Sequence, residues 1–155
     1  MVCASVHRRQ NAVQAIMEQH VETAAEGEWM ITLDHIGFAV ADYDRSKGFY
    51  EKSLAPLGLK LLVEFSGAAA GFGRTDGERP SFFIEAHGEP VRGRLHIALR
   101  AESRAQVDAF HAAAIEAGGN DNGAPGLRWY HPDYYDGYVL DPDGNNIEAV
   151  CHRPG

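Results

Sequence analysis

Two histidines and two glutamates in this 155-residue chain are of the kinds that bind a divalent metal. His35 and His96 each lie within a short apolar run that is typical of a β-strand, and Glu85 and Glu148 each lie near the end of a later run of the same kind. A carboxylate beside a metal can also act as a general base. Because a buried carboxylate is costly without a cation, the four residues together suggest a metal-centred reaction.

The two histidines also belong to an internal repeat. They are 61 positions apart, and the two glutamates recur at an offset only two residues longer, which a small difference in loop length would explain. The sequence therefore predicts two copies of one module, each carrying one His and one Glu. Three further pairs match at the first offset: Phe49 with Phe110, Leu54 with Ile115, and Gly58 with Gly119.

The first module is predicted to begin with a strand over 31–41. Alternation puts His35 on one face together with Gly37 and Ala39, and these small neighbours leave room beside the imidazole. Asp42 or Asp44 can cap a helix over roughly 44–56. Turn residues then separate three predicted strands: Leu59–Phe65, Ala70–Arg74 and Ser81–Ala86.

The second module is predicted to repeat this order. It starts with a strand over Leu95–Ala101, and Ser103 with Gln106 forms a capping box that opens a helix. Residues 120–126 are rich in Asn, Gly and Pro and predict a polar turn. Three strands follow, the last two joined by an Asp-Pro-Asp-Gly turn: Leu127–His131, Tyr135–Leu140 and Asn146–Cys151.

These elements predict an α+β fold with two βαβββ modules whose sheets form a paired-sheet cleft. The domain spans 30–155, with modules over 31–87 and 94–152. Residues 1–29 fall outside the repeat and show an amphipathic stripe, which predicts an N-terminal helical extension; a poorly ordered extension is the alternative. This helix makes a homodimer plausible.

Composition excludes several classes of partner. The net charge of −8 argues against nucleic acid and against an anionic membrane surface. No apolar run approaches the roughly 20 residues that cross a bilayer. Cys3 and Cys151 form neither a metal-binding pair nor a disulfide framework, and the N-terminus does not read as a secretory signal. We therefore expect a cytoplasmic protein.

The motifs resemble the vicinal oxygen chelate superfamily, which includes glyoxalase I, extradiol dioxygenases, fosfomycin-resistance proteins and bleomycin-binding proteins. The resemblance covers about residues 31–152 and implies paired βαβββ modules. It rests on Leu33-Asp34-His35-Ile36, Gly48-Phe49-Tyr50, Leu57-Gly58-Leu59, Leu95-His96-Ile97-Ala98-Leu99 and Asp141-Pro142-Asp143-Gly144-Asn145-Asn146-Ile147-Glu148.

The resemblance implies a metal on His35, His96 and Glu148, with Glu85 as a fourth ligand in glyoxalase-I-like members. The metal could be Zn, Ni, Mn, Co or Fe. It further implies a glyoxalase-type lyase or isomerase that acts on a small carbonyl compound or its adduct through a metal-bound enediolate, with Glu85 and Glu148 as catalytic residues. The chain has no clear counterpart of the basic glutathione contacts of glyoxalase I, so glutathione dependence stays open.

Two alternatives remain. One is an extradiol-type dioxygenase with Fe²⁺ on His35, His96 and Glu148, and the other is a drug-binding resistance protein without catalysis. An aromatic segment over 129–138 either packs within the sheet or forms a cleft wall. In the second case the expected substrate-binding residues are Trp129, His131, Tyr135 and Arg128.

Overall fold

The computed structural model describes residues 33–76, 79–93 and 95–155. The predicted N-terminal helix over 1–29 lies outside these residues. Of the helices within them, none is long and apolar enough to cross a membrane.

The first module contains strand β1, a helix α1 followed by a single 3₁₀ turn, and strands β2 to β4. Their bounds are Ile36–Ala39, Tyr43–Ser53, Ala55–Leu57, Leu59–Phe65, Ala69–Arg74 and Phe82–Glu85. The second module contains β5, α2 and β6 to β8. Their bounds are His96–Arg100, Arg104–Glu116, Asn120–Leu127, Tyr135–Leu140 and Asn146–Cys151.

Each module forms a mixed four-stranded sheet of the same topology. The strand orders are β1-β4-β3-β2 and β5-β8-β7-β6. In each sheet the first and last strands of the module pair in parallel, whereas the other pairs are antiparallel. The predicted α+β fold with two βαβββ modules is therefore confirmed.

Strand β6 corrects the sequence analysis. The turn predicted over 120–126 is an edge strand over Asn120–Leu127. Of the strand predicted over 127–131, residues 128–131 lie in the turn that follows β6. Most of β6 is exposed and its pairing with β7 is interrupted around Gly123 and Gly126. An edge strand with such bulges tolerates Gly and Pro and needs no hydrophobic alternation, so the pattern that reveals buried strands is absent.

One hydrophobic core joins the two modules. Helices α1 and α2 contact each other, α1 packs on β4, and α2 packs on β6, β7 and β8. The sheet faces turned toward the helices carry the buried side chains, including Phe38, Phe82, Ile97 and Ile147. Because strand side chains alternate, His35 and His96 belong to the opposite faces, away from this core.

A buried polar link also joins the modules. Asp141 is buried in the turn between β7 and β8, and its Oδ2 accepts a hydrogen bond of 2.5 Å from the Tyr50 hydroxyl on α1. Its Oδ1 accepts from the backbone amides of Asp143 and Asn145 at 2.9 and 2.7 Å. Asp143 in turn accepts from the amide of Ala41 at 2.8 Å. The Asp-Pro-Asp-Gly turn therefore fixes the relation of the two modules as well as the hairpin.

Candidate metal centre

His96 and Glu148 form a close pair on neighbouring parallel strands. Ala98 of β5 is the register partner of Glu148 on β8, which puts His96 and Glu148 on the same sheet face. Nε2 of His96 lies 2.8 Å from Oε2 of Glu148. Glu148 is only 2% exposed, and its Oε1 accepts a hydrogen bond of 2.9 Å from the Tyr134 hydroxyl. Both carboxylate oxygens are therefore held in place.

The electrostatics of this pair favour a charged imidazole in the metal-free protein. The hydrogen bond to Glu148 raises the pKa of His96 more than partial burial lowers it. The other ring nitrogen, Nδ1, lies 3.0 Å from the side-chain amide of Asn146. Burial, with the nearby Glu148 charge, raises the pKa of the Tyr134 hydroxyl, so this group stays protonated and can donate to Glu148.

His35 lies just before β1 and is exposed to solvent. Its Nδ1 lies 2.6 Å from Oδ1 of Asp34, a contact that lowers the pKa of that aspartate. Its ring also packs edge-on against Phe83, with 5.7 Å between ring centroids. An open cavity of about 430 Å³ adjoins it, lined by His35, Gly37, Phe65, Ala69, Phe83 and Glu85.

Strand register shows that Glu85 and Glu148 are not equivalent residues. Gly37 in the first module corresponds to Ala98 in the second, at the offset of the two histidines. The register partner of Gly37 is Phe83, whereas the partner of Ala98 is Glu148. Phe83 therefore occupies the place of Glu148, and Glu85 lies two residues further along β4. The prediction of equivalent glutamates is wrong because the loop difference is larger than the sequence suggested.

Backbone hydrogen bonds support this assignment. The amide of Val40 donates to the carbonyl of Glu85 at 2.9 Å, and the amide of Ala101 donates to the carbonyl of Val150 at 2.8 Å. The Glu85 side chain nevertheless reaches back, since a Cβ atom added to Gly37 would lie 3.2 Å from Oε1 of Glu85. Its carboxylate thus lies beside the position that a fourth ligand would take, without being anchored there by the strand.

The histidine of the first module and the His–Glu pair of the second do not meet within one chain. Within the parts of the chain that the structure describes, no three His, Cys, Asp or Glu residues are grouped so as to hold a metal. The types of donor, imidazole nitrogen and carboxylate oxygen, fit a divalent ion. Among the described residues, the number of donors gathered in one chain falls short of a complete centre, because the two sheets present these donors on faces that point away from the common core.

Arg128, a predicted substrate-binding residue, is linked to the His96–Glu148 pair through Tyr138, whose ring meets His96 with 6.0 Å between centroids. Its Nε donates to Oδ1 of Asp136 at 2.6 Å and its Nη2 donates to the carbonyl of Ala124 at 2.8 Å. Its guanidinium also lies over the ring of Tyr138, 5.5 Å from the centroid. Asp136, which is fully buried, was not predicted as a site residue. Its place two residues before Tyr138, on the same face of β7, is the one signal in the sequence that could have indicated it.

Trp129 and His131 lie in the turn between β6 and β7. The Trp129 ring is largely exposed and packs on Tyr130. The His131 ring stacks on His152, with 5.0 Å between centroids, and meets the edge of Tyr134 at 5.1 Å. His131 therefore packs against the Tyr134 ring and restricts its position. Tyr134 lies within the aromatic segment but was not among the predicted site residues.

The structure does not bring Tyr135 together with these residues. Its hydroxyl donates to Asp108 of α2 at 2.7 Å, and the guanidinium of Arg104 lies over its ring at 5.4 Å. On β7 the side chain of Tyr135 points to the face opposite to those of Asp136 and Tyr138. Tyr135 thus lies on the helix side of the second sheet.

The fold and the motifs agree with known proteins. The family model described as the glyoxalase/bleomycin resistance protein/dioxygenase superfamily matches residues 32–149. A glyoxalase/bleomycin resistance protein from Albidiferax ferrireducens is 33% identical, with a TM-score of 0.63 over 80% of this chain and 100% of that one. No curated protein matches.

Two more distant structures share the fold. Lactoylglutathione lyase from Agrobacterium tumefaciens is 18% identical, with a TM-score of 0.57 over 80% of this chain and 96% of that one. A glyoxalase/bleomycin resistance protein/dioxygenase family enzyme from Burkholderia phytofirmans is 17% identical, with a TM-score of 0.55 over 79% of this chain and 100% of that one. On the strength of the family match and the 33% identical relative, the chain belongs to the glyoxalase/bleomycin resistance protein/dioxygenase superfamily.

Proposed function

We propose that this protein is a metal-dependent lyase or isomerase of glyoxalase type that acts on a small carbonyl compound or its adduct. Its metal would be held by His35, His96 and Glu148, and Glu85 would serve as the base. The observation that carries this proposal is the position of Glu85. The register of β4 displaces it by two residues from the place that corresponds to Glu148, and it borders the cavity beside His35.

The three proposed ligands suit a divalent ion. Two imidazoles and one carboxylate leave open positions for a substrate with two neighbouring oxygens, and Zn, Ni, Mn, Co and Fe all accept such a set. When bound, the metal would polarise a carbonyl oxygen of the substrate. Tyr134 keeps Oε1 of Glu148 occupied, so a metal would bind Oε2 in place of that oxygen's present contact with Nε2 of His96.

Glu85 has the properties of a base rather than of a ligand. Its side chain is exposed, borders the cavity beside His35 and forms no ion pair with the described residues. Since it lies over Gly37, its carboxylate is within reach of the space next to the imidazole. A carboxylate in this position can take a proton from the carbon next to a carbonyl and return it to another atom of the same substrate.

The complete centre would form between two copies of the chain. His35 lies on the outer face of one sheet, and His96 with Glu148 lies on the outer face of the other. A two-fold symmetric homodimer that joins the first module of one copy to the second module of its partner would create two identical sites. This arrangement supplies the donors that the described residues of a single chain do not gather.

Mixing two defective variants tests the proposal. His35→Ala and His96→Ala should each lose tight metal binding while retaining the fold, as measured by elemental analysis and circular dichroism. After the two variants are unfolded together and refolded at equal amounts, about a quarter of the wild-type metal content should return, because half of the dimers contain one intact site. A mixture that stays metal-free would contradict a shared site, and a single variant with full metal content would contradict the ligand assignment.

A ring-cleaving dioxygenase is the second candidate, and the same register favours it. Two histidines and one carboxylate are the typical ligands of non-haem Fe²⁺ oxygenases. Elemental analysis of protein purified without a tag or added metal, followed by activity assays, separates the candidates. Zn, Ni, Mn or Co with turnover of a 2-oxoaldehyde adduct supports the lyase or isomerase, whereas iron with oxygen uptake on a catechol supports the dioxygenase. Absence of metal, even after titration, would leave a drug-binding protein.

A further inference from the structure

Arg128 is a cation held in one orientation rather than a mobile surface side chain. Its Nε and Nη2 are engaged by Asp136 and by the carbonyl of Ala124, at 2.6 and 2.8 Å. Cβ atoms added to Gly123 and Gly126 would lie 3.6 and 3.7 Å from its two Nη atoms, so the guanidinium lies next to β6. Fixing a guanidinium in advance reduces the entropy lost when it binds an anion.

Asp136 anchors this arrangement. It is fully buried, and its two carboxylate oxygens accept from Arg128 and from the Tyr138 hydroxyl, both at 2.6 Å. Burial raises the pKa of Asp136, against the effect of these two hydrogen bonds. Burying a carboxylate carries a desolvation cost, so the network is expensive as a purely structural device.

The guanidinium borders the proposed metal centre. Tyr138 is the register partner of Glu148, and its ring meets the edge of His96 with 6.0 Å between centroids. Arg128 lies over that same ring. One aromatic side chain therefore separates the metal-binding imidazole from the fixed cation, and all of these groups lie on the outer face of the second sheet.

One end of the guanidinium remains open. Nη1 of Arg128 forms no hydrogen bond with the described residues, and the side chain as a whole is 27% exposed. Nη1 and the second hydrogen of Nη2 together form the end of the fork, which matches the two oxygens of a carboxylate. A neutral substrate would leave this end without a partner.

We propose that Arg128 binds a carboxylate of the substrate, and that the substrate is therefore an anionic carbonyl compound with a carboxylate a few atoms from the oxygens next to the metal. This inference rests on the proposed function, since it takes the site beside His96 and Glu148 as the place of reaction. Asp136 and Tyr138 act as positioning residues that hold the guanidinium beside the proposed metal centre.

Binding of a matched pair of probes tests this inference. The probes are 2-oxoglutarate, whose distal carboxylate is free, and its 5-methyl ester, in which that carboxylate is neutral. Isothermal titration of the metal-loaded wild-type protein should show about 10- to 100-fold tighter binding of the free acid, the range expected for a charged hydrogen-bonded contact. Arg128→Lys should lose most of this preference while binding the ester unchanged, because lysine keeps the charge but lacks the fork.

Arg104→Lys is the matched control. Arg104 is also 27% exposed, pairs with Asp133 at 2.9 Å and lies over the ring of Tyr135, but on the helix side of the sheet. Its substitution should leave the preference intact. The double variant Arg128→Gln with Asp136→Asn removes the ion pair without leaving a buried charge alone, and should abolish the preference if Arg128→Lys does not fold. An undiminished preference in either folded Arg128 variant, or none in wild type, would overturn the inference.

The same titrations on metal-free protein distinguish this inference from the proposed function. If both probes bind only after metal is added and the preference depends on Arg128, both proposals are supported. If the probes bind equally well without metal and the preference still depends on Arg128, the carboxylate site stands and the metal-centred function fails. If binding requires metal but substitution of Arg128 has no effect, the metal-centred function stands and the carboxylate site fails.

Discussion

The Tyr134 hydroxyl donates a hydrogen bond of 2.9 Å to Oε1 of Glu148, and the carboxylate that it reaches is almost fully buried. The ring of Tyr134 is itself held by edge contacts with Tyr130, His131 and His152, at 5.0 to 5.1 Å between centroids. The aromatic cluster thus acts through one hydroxyl on one carboxylate oxygen. This relationship makes Tyr134 the residue that sets the orientation of the proposed ligand.

Replacing Tyr134 by Phe should weaken metal binding and the metal-free fold together. The substitution keeps the ring contacts and leaves Oε1 of Glu148 without a partner, which costs about 1–3 kcal/mol of unfolding free energy. Urea unfolding and metal titration measure the two effects. Tyr130→Phe is the control, since the Tyr130 hydroxyl forms no hydrogen bond with the described residues. Equal behaviour of the two variants would exclude a special role for the Tyr134 hydroxyl.

Glu85→Gln and Glu148→Gln should separate the base from the ligand. Because Glu148 is anchored beside His96, its substitution should remove tight metal binding. Because Glu85 is displaced from the ligand register, Glu85→Gln should retain metal at the wild-type stoichiometry and lose turnover by about 100-fold or more, the usual range for a general base. Metal content and reaction rate of the two variants give the result. Loss of metal in both variants would support a four-ligand centre instead.

The His96–Glu148 pair should make metal-free stability depend on pH. A histidine whose pKa is raised in the folded state stabilises the protein fully below its unfolded pKa of about 6.5. This contribution is lost as pH rises through the higher folded pKa. Burial lowers the pKa of His152. This residue therefore reduces the stability of the folded protein as pH falls below about 6.5.

Comparing wild type with His96→Asn isolates the effect of His96. The difference in unfolding free energy between the two proteins should shrink as pH rises from about 6 to 9, since only the wild type loses a stabilising proton. Urea midpoints at constant ionic strength measure it. A difference that is constant with pH would show that His96 carries no extra proton in the folded protein.

The buried link between Tyr50 and Asp141 should contribute to the stability of both modules. Tyr50→Phe removes the 2.5 Å hydrogen bond and leaves Oδ2 of a buried aspartate with fewer donors, at a cost of about 1–3 kcal/mol. Tyr43→Phe is the control, because the Tyr43 hydroxyl donates to the exposed Glu64 at 3.1 Å. Thermal unfolding should show a clearly larger loss for Tyr50→Phe. Similar losses would mean that Asp141 is satisfied by its turn alone.

Gly119 should not tolerate even one added methyl group. A Cβ atom there would lie 2.6 Å from Val139 and 2.8 Å from Phe49, so Gly119→Ala overpacks the junction of the modules and should cost about 1–3 kcal/mol. Gly48→Ala in α1 meets nothing within 4 Å and should stabilise by about 0.5–1 kcal/mol. Denaturant unfolding of both variants tests the contrast, and a neutral Gly119→Ala would show that the junction can relax.

The sequence by itself determined the repeat, the α+β class and the places of His35 and His96 at the first strand of each module. Buried strands and amphipathic helices leave periodic patterns that depend only on local geometry, and the capping serines and aspartates behave in the same way. The Ser103 hydroxyl indeed accepts from the amide of Gln106, and Asp42 accepts from the amide of Arg45. Edge strand β6 escaped this reasoning because an exposed strand needs no hydrophobic pattern.

Only the tertiary structure decided which residues share the site. Sequence offsets cannot count the residues absorbed by loops, so Glu85 matched Glu148 along the chain while strand pairing matched Phe83 to it. Likewise, Arg128 acquires its orientation from Asp136, and Glu148 from Tyr134, through contacts between different elements. Register and burial arise from the packing of whole sheets, and for this reason no local pattern encodes them.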